Sequence, residues 1–216
     1  MNVSQIFRIL GQEYGDRQRR PRLDPLSELM ATILSQNTSD VNSGRAYRSL
    51  ISTFGNWEKV ADASIDDIEA AIAGGGLSRV KAPRIKAVLN RIRDERGSLD
   101  LGFLADVPLP QAREWLQSLP GVGPKTAACV LLFSLGRPAF PVDTHVYRVS
   151  KRLGLIENGV SPAKAHQLLE RLVPGGSVYR FHMNLVKHGR HVCRAQRPRC
   201  HECVLREMCV YAKGKV

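Results

Sequence analysis

At 216 residues the chain is long enough to build one large core or two small ones. Hydrophobic residues make up 43% and charged residues 24%, the values of a soluble globular protein rather than of a membrane-embedded or disordered chain. Lys and Arg outnumber Asp and Glu 32 to 20, a net charge of +12, and a surface this basic points to a polyanionic partner, nucleic acid first. In chain order, Val3, Ile6, Ile9 and Leu10 share one helical face, and Gln5, Arg8 and Gln12 leave no uninterrupted apolar run, so no export signal is expected. Asp24-Pro25 is an N-cap followed by proline at the first helical position, and Leu26, Leu29, Met30, Ile33 and Leu34 then repeat at helix spacing. Ala46, Tyr47, Leu50 and Ile51 mark another helix, and Ser64 with Asp67 forms a capping box before Ile68 and Ile72. Ile85, Val88, Leu89 and Ile92 predict a helix that Gly97 can stop; Leu116 and Leu119 close one before Pro120; Ser161-Pro162 opens one that ends by Pro174. No segment alternates with period two, so the expected fold is all-α, about ten short helices. The longest apolar stretch, Ala127–Leu135, is too short to span a bilayer, and an intracellular protein is expected.

Between two of these helices lies Leu119-Pro120-Gly121-Val122-Gly123, a helix-hairpin-helix turn. Gly121 and Gly123 let backbone approach a phosphate, while Val122 packs inward and fixes the turn. The same pattern also serves ordinary helix pairs. Lys125 follows Pro124 at the start of the next helix, where the positive end of the helix dipole disfavours the ammonium form. A neutral amine there can attack a sugar C1′; a charged one would hold a phosphate. Asp143, in Pro141-Val142-Asp143-Thr144-His145, reads as a helix N-cap, and a carboxylate so fixed can also stabilise an oxocarbenium-like transition state.

Cys193, Cys200, Cys203 and Cys209 follow the pattern C-x6-C-x2-C-x5-C. Four thiolates this close in sequence can wrap one metal centre. Zinc sites usually offer two short-spaced pairs, and here only Cys200–Cys203 is short, which favours a [4Fe–4S] cubane over zinc and both over disulfides. Cys129, alone on an apolar helix, is expected to be a buried thiol. Arg194, Arg197 and Arg199 sit between the first two cysteines: either a loop that a bound metal would hold against phosphates, or three solvated arginines.

Taken together, LPGVGPKTA, PVDTHVYRV and HGRHVC with three further cysteines resemble the helix-hairpin-helix DNA glycosylases, and among them the endonuclease III family, from the helix at Leu26 to Cys209. The resemblance implies two helical lobes: a six-helix barrel lobe carrying the hairpin at 22–137, and an iron–sulfur lobe built from 1–21 and 138–216. It implies a bifunctional glycosylase and apurinic/apyrimidinic lyase that excises oxidised pyrimidines of the thymine glycol type. Lys125 would be the nucleophile, Asp143 its carboxylate partner, the four cysteines ligands of a [4Fe–4S] cluster, and a lesion-bearing or abasic duplex the partner of a monomer. In a prokaryote it would be cytoplasmic and nucleoid-associated. DNA contacts would come from Gly121, Val122, Gly123, His145 and the three arginines. Leu77 matches the leucine that wedges into the base stack, with Gly74-Gly75-Gly76 as a flexible approach. Asn37 stands where the family usually has the glutamine that fills the gap left by the flipped base, with Gln36 beside it. Adenine-excising relatives generally lack a lysine at the Lys125 position. A monofunctional glycosylase and a non-catalytic DNA-binding module are the competing readings.

Overall fold

The computed structural model describes residues 2–15, 18–19 and 23–214; the expected lobe boundary at residues 21 and 22 lies outside the described residues. Among the described residues every regular element is helical, and no helix is long and apolar enough to cross a membrane. The chain divides into two compact units, Pro21–Leu135 and Met1–Arg20 with Gly136–Val216.

The chain begins with α1 (Val3–Tyr14), capped by the Asn2 side chain and belonging to the second of these units. The Pro21–Leu135 unit starts with α2 (Pro25–Ser35), whose first turn is closed by the Asp24 carboxylate accepting from the Ser27 amide at 2.9 Å. Then come α3 (Asp40–Phe54), α4 (Trp57–Asp62), α5 (Ile65–Ile72), α6 (Ser78–Arg96), α7 (Leu109–Ser118) and α8 (Pro124–Cys129), which runs on into a π-helical turn at Val130–Ser134. Leu29, Ile33, Leu50, Ile68, Val88 and Leu89 are fully buried, each stabilising the fold by about 1.5–3 kcal/mol. Two lysines of α6 finish neighbouring helices. Buried Lys81 donates from Nζ to the Leu34 carbonyl at 2.6 Å, and Lys86 donates to the carbonyls of Ala61 and Ala63 at the end of α4. An ammonium against terminal carbonyls satisfies acceptors that the helix leaves orphaned. Burial lowers the Lys81 pKa from its ordinary value.

The other unit continues with α9 (Thr144–Leu153), α10 (Pro162–Leu172), α11 (Val178–His191) and the short α12 (Val210–Lys213). Helix α1 lies on α11 through an edge-on Phe7–Phe181 pair and a hydrogen bond between the Tyr14 hydroxyl and His188 Nδ1 at 2.9 Å. Gly189 lets α9 approach α11: a Cβ at that position would stand 2.9 Å from the His145 Cβ.

Candidate functional site

In the Pro21–Leu135 unit, chemistry gathers at the turn between α7 and α8. Val122 is buried and its amide donates to the Leu119 carbonyl, while Gly121 is exposed with φ +71°. Lys125 is the second residue of α8, half-buried, and no hydrogen bond or ion pair ties its amine to the described residues. A lysine in that condition is available to a ligand or substrate.

Gln36 and Asn37, adjacent in sequence, have different situations. Gln36 ends α2, and its amide nitrogen donates to the Gly121 carbonyl (3.2 Å) and to Thr126 Oγ1 (3.3 Å), while its Oε1 accepts from Arg84 (2.7 Å). Both ends of that amide are occupied within the protein. Asn37 is exposed and left-handed, with φ +52°. Leu77, just before α6, is 51% exposed and also left-handed at φ +56°. Of the three glycines expected to form a flexible approach, Gly75 is instead packed in place. Gly75 is buried against α3, where a Cβ would stand 2.6 Å from the Ala46 Cβ, and one on Gly76 would lie 3.5 Å from Thr38 Oγ1. Gly75 is small because α3 packs closely against it, and this contact braces the loop from which Leu77 projects, next to the Asn37-Thr38 turn. Only three non-glycine residues among those described have positive φ: Asn37, Leu77 and Arg197. Such strain costs about 1–3 kcal/mol per residue and tends to persist where function requires it. All three are DNA contacts expected from the sequence.

In the other unit, Asp143 caps α9: Oδ1 accepts from the Val146 amide at 2.7 Å, while Oδ2 has no protein partner among the described residues. The extended segment before it is buried and held by side chains that sequence reasoning missed. His166 Nδ1 meets the Phe140 carbonyl at 2.8 Å, His182 Nδ1 meets the Pro141 carbonyl at 2.9 Å, and Glu170 accepts from the Phe140 amide at 2.9 Å. An imidazole nitrogen facing a carbonyl must carry the proton, so both histidines act as donors that position the carboxylate. No local signal marks them, since they lie 26 and 41 residues from their partners. His145 is half-buried, its Nδ1 accepting from Arg148 at 3.1 Å.

Cys193, Cys200, Cys203 and Cys209 line one pocket, with Arg152, His188 and Tyr211 in its wall, and none forms a disulfide. No group of three or more His, Cys, Asp or Glu side chains among the described residues converges tightly enough for a single metal ion. Four thiols lining one shared space can hold a multi-iron cubane. Burial pushes the Cys203 thiol up to about 11 and raises that of Cys209, and a bound cationic centre would favour the thiolate form of both. Arg152 donates to Cys193 Sγ at 3.4 Å and to the carbonyls of Arg194 (2.6 Å) and Ala195 (3.0 Å). His188 Nε2 lies 3.6 Å from Cys203 Sγ. A metal-bound thiolate only accepts, which puts the imidazole proton on Nε2 and makes Nδ1 the acceptor of the Tyr14 hydroxyl. The residues fit an iron–sulfur cluster. Of the three loop arginines, Arg199 is paired through two N–H groups to Glu202, Arg194 donates to the His191 carbonyl, and exposed Arg197 has no protein partner among the described residues. Cys129 is buried, as its apolar helix requires.

Residues 30–175, more than half of the chain, match the HhH-GPD superfamily of base excision DNA repair proteins. Residues 193–209 match the iron–sulfur binding domain of endonuclease III. The endonuclease III of Thermotoga maritima is 34% identical over 197 residues, 89% of this chain and 88% of that one. The chain belongs to the endonuclease III family. Its cofactor is the [4Fe–4S] cluster of that family. A candidate DNA glycosylase of Arabidopsis thaliana is 41% identical over 165 residues; the match takes in 76% of this chain but spans only 56% of the plant protein. Among solved structures, a trapped covalent intermediate of endonuclease III with DNA superposes with a TM-score of 0.84 at 28% identity, covering 99% of this chain and 96% of that one.

Proposed function

We propose that the chain is a bifunctional DNA glycosylase and apurinic/apyrimidinic lyase that removes oxidised pyrimidines of the thymine glycol type from duplex DNA, acting as a monomer. The observation that carries this reading is Lys125, an amine beside the hairpin turn without a partner among the described residues. The similarity to an endonuclease III trapped covalently on DNA supports it.

The damaged nucleotide leaves the stack at a cost of a few kcal/mol, least for a base that stacks poorly. Leu77 enters the gap from its braced loop, and Asn37 meets the base left behind. The Lys125 amine attacks C1′, the glycosidic bond breaks, and its electron pair departs with the base, which takes up a proton. Asp143 stabilises the positive charge on the sugar and takes the proton released by the amine. The sugar ring then opens as the C1′–O4′ bond breaks and O4′ takes up a proton, leaving a Schiff base between C1′ and the lysine nitrogen; this loses a proton from C2′, and the 3′ phosphate leaves by β-elimination. Cys193, Cys200, Cys203 and Cys209 would hold the [4Fe–4S] cluster, whose contribution is a cross-link that presents Arg194 and Arg197 to phosphates. Purified enzyme, offered oligonucleotides carrying thymine glycol, dihydrouracil, uracil, an abasic site or an adenine mispair, should cut the first two and the abasic strand, and borohydride should trap it on DNA. Base release that needs later alkali for strand cutting, with no trapped adduct, would favour the monofunctional alternative.

A further inference from the structure

The hairpin turn carries a cation that its own sequence does not contain. Arg84 projects from α6 so that its side chain packs against Gly121: a Cβ built there would stand 2.2 Å from the Arg84 Nε, 2.5 Å from its Cδ and 2.7 Å from its Cζ. Gly121 is exposed and Arg84 half-buried, so the contact between them lies at a part of the turn that is open to solvent at least on the glycine side. One of its donors, NH1, is used on Gln36 Oε1 at 2.7 Å. The same Gln36 amide holds the turn from below, through the Gly121 carbonyl and Thr126 Oγ1. No other hydrogen bond and no carboxylate engages the guanidinium among the described residues. Gly121 therefore has two reasons to be glycine: its left-handed φ and the space that Arg84 occupies.

We propose that Arg84 binds the DNA backbone phosphate received at the hairpin turn, and that Gln36 aims it. The proposal deepens the reading above and rests on its claim that this turn meets DNA. A guanidinium with one N–H anchored to an amide keeps a planar fork of donors for phosphate oxygens, and the anchoring lowers the entropy lost when the phosphate arrives. A purely structural brace would need the hydrogen bond to Gln36 and not the charge.

The test is the salt dependence of binding to an undamaged duplex, measured by fluorescence anisotropy on the cluster-loaded enzyme and its variants. Each phosphate neutralised contributes about 0.9 to the slope of log K against log salt. Arg84→Gln should lower the slope by about one and weaken binding roughly tenfold at low salt. Arg84→Lys should keep the slope, because the charge remains, and lose part of the affinity with the fork. Gln36→Ala should keep the slope and weaken binding about threefold, because the cation is present but less ordered. An Arg84→Gln slope equal to that of the unaltered enzyme overturns the proposal, as does an Arg84→Lys slope that falls as far as that of Arg84→Gln. Unaltered enzyme that does not bind duplex at all overturns the functional reading instead. Enzyme that binds but is never trapped by borohydride removes the lyase chemistry and leaves the role of Arg84 standing.

Discussion

Residues 119–126 and residues 193–209 are both short loop segments expected to meet DNA, yet they are held by different means. Around the hairpin, Val122 and Thr126 are buried, and three elements meet on the Gln36 amide through hydrogen bonds of 2.7–3.3 Å. That segment keeps its shape with protein atoms alone. Around the cysteines the elements are three-residue turns, Cys200–Glu202 and Arg206–Met208, and Leu205 is the one fully buried side chain between Arg194 and Met208. Too little apolar surface is buried there to offset the entropy of ordering the chain. Arg152 supplies some of the missing order by gathering the carbonyls of Arg194 and Ala195, and the cluster must supply the rest. A loop can thus be made rigid by packing plus one satisfied amide or by a metal cross-link, and only the second is lost with the cofactor.

The sharpest test of the self-sufficient region is Lys125→Gln. Because the amine bonds to none of the described residues, stability and duplex affinity should hold, while strand cutting and borohydride trapping fall by about a thousandfold or more. Trapping that persists would assign the nucleophile elsewhere. On the metal-dependent side, Cys200→Ser should lose iron absorbance, open residues 193–209 to proteolysis and weaken duplex binding about tenfold, as Arg194 and Arg197 lose their fixed positions. If the 193–209 segment stays resistant to protease without iron, the contrast between the regions is wrong. A smaller effect is expected at Lys81, where methionine keeps the packing but leaves the buried Leu34 carbonyl without its donor. Urea unfolding of Lys81→Met should show a loss of about 1–3 kcal/mol, with the iron content unchanged. The smallest change should come from Leu77→Gly. Relief of the left-handed backbone should raise stability by no more than about 1 kcal/mol, while excision slows because the wedge is gone. A variant that is both less stable and fully active would deny Leu77 that role.

Much of this molecule is written in local patterns. The Asp24, Ser64 and Ser161 caps, the apolar spacing in α2, α5 and α6, the Gly121 turn and the cysteine spacing each involve residues a few positions apart, so the physics that sets them is visible in a short window. Helical class, the metal-binding segment and the family motifs around Lys125 and Asp143 were all legible on that basis. The short α4 was not, because six residues hold too few turns for a period to show.

What tertiary structure alone decided is which of two neighbouring residues does which task. Nothing in Ser35-Gln36-Asn37-Thr38 says that Gln36 turns in to a carbonyl 85 positions away while Asn37 turns out. Nothing in Gly74-Gly75-Gly76 distinguishes a hinge from a close packing against Ala46, and no short-range signal ties His166 and His182 to the segment before Asp143. Side-chain hydrogen bonds and backbone contacts at these separations are chosen by the packing of whole helices, which residue order expresses only after the chain has folded.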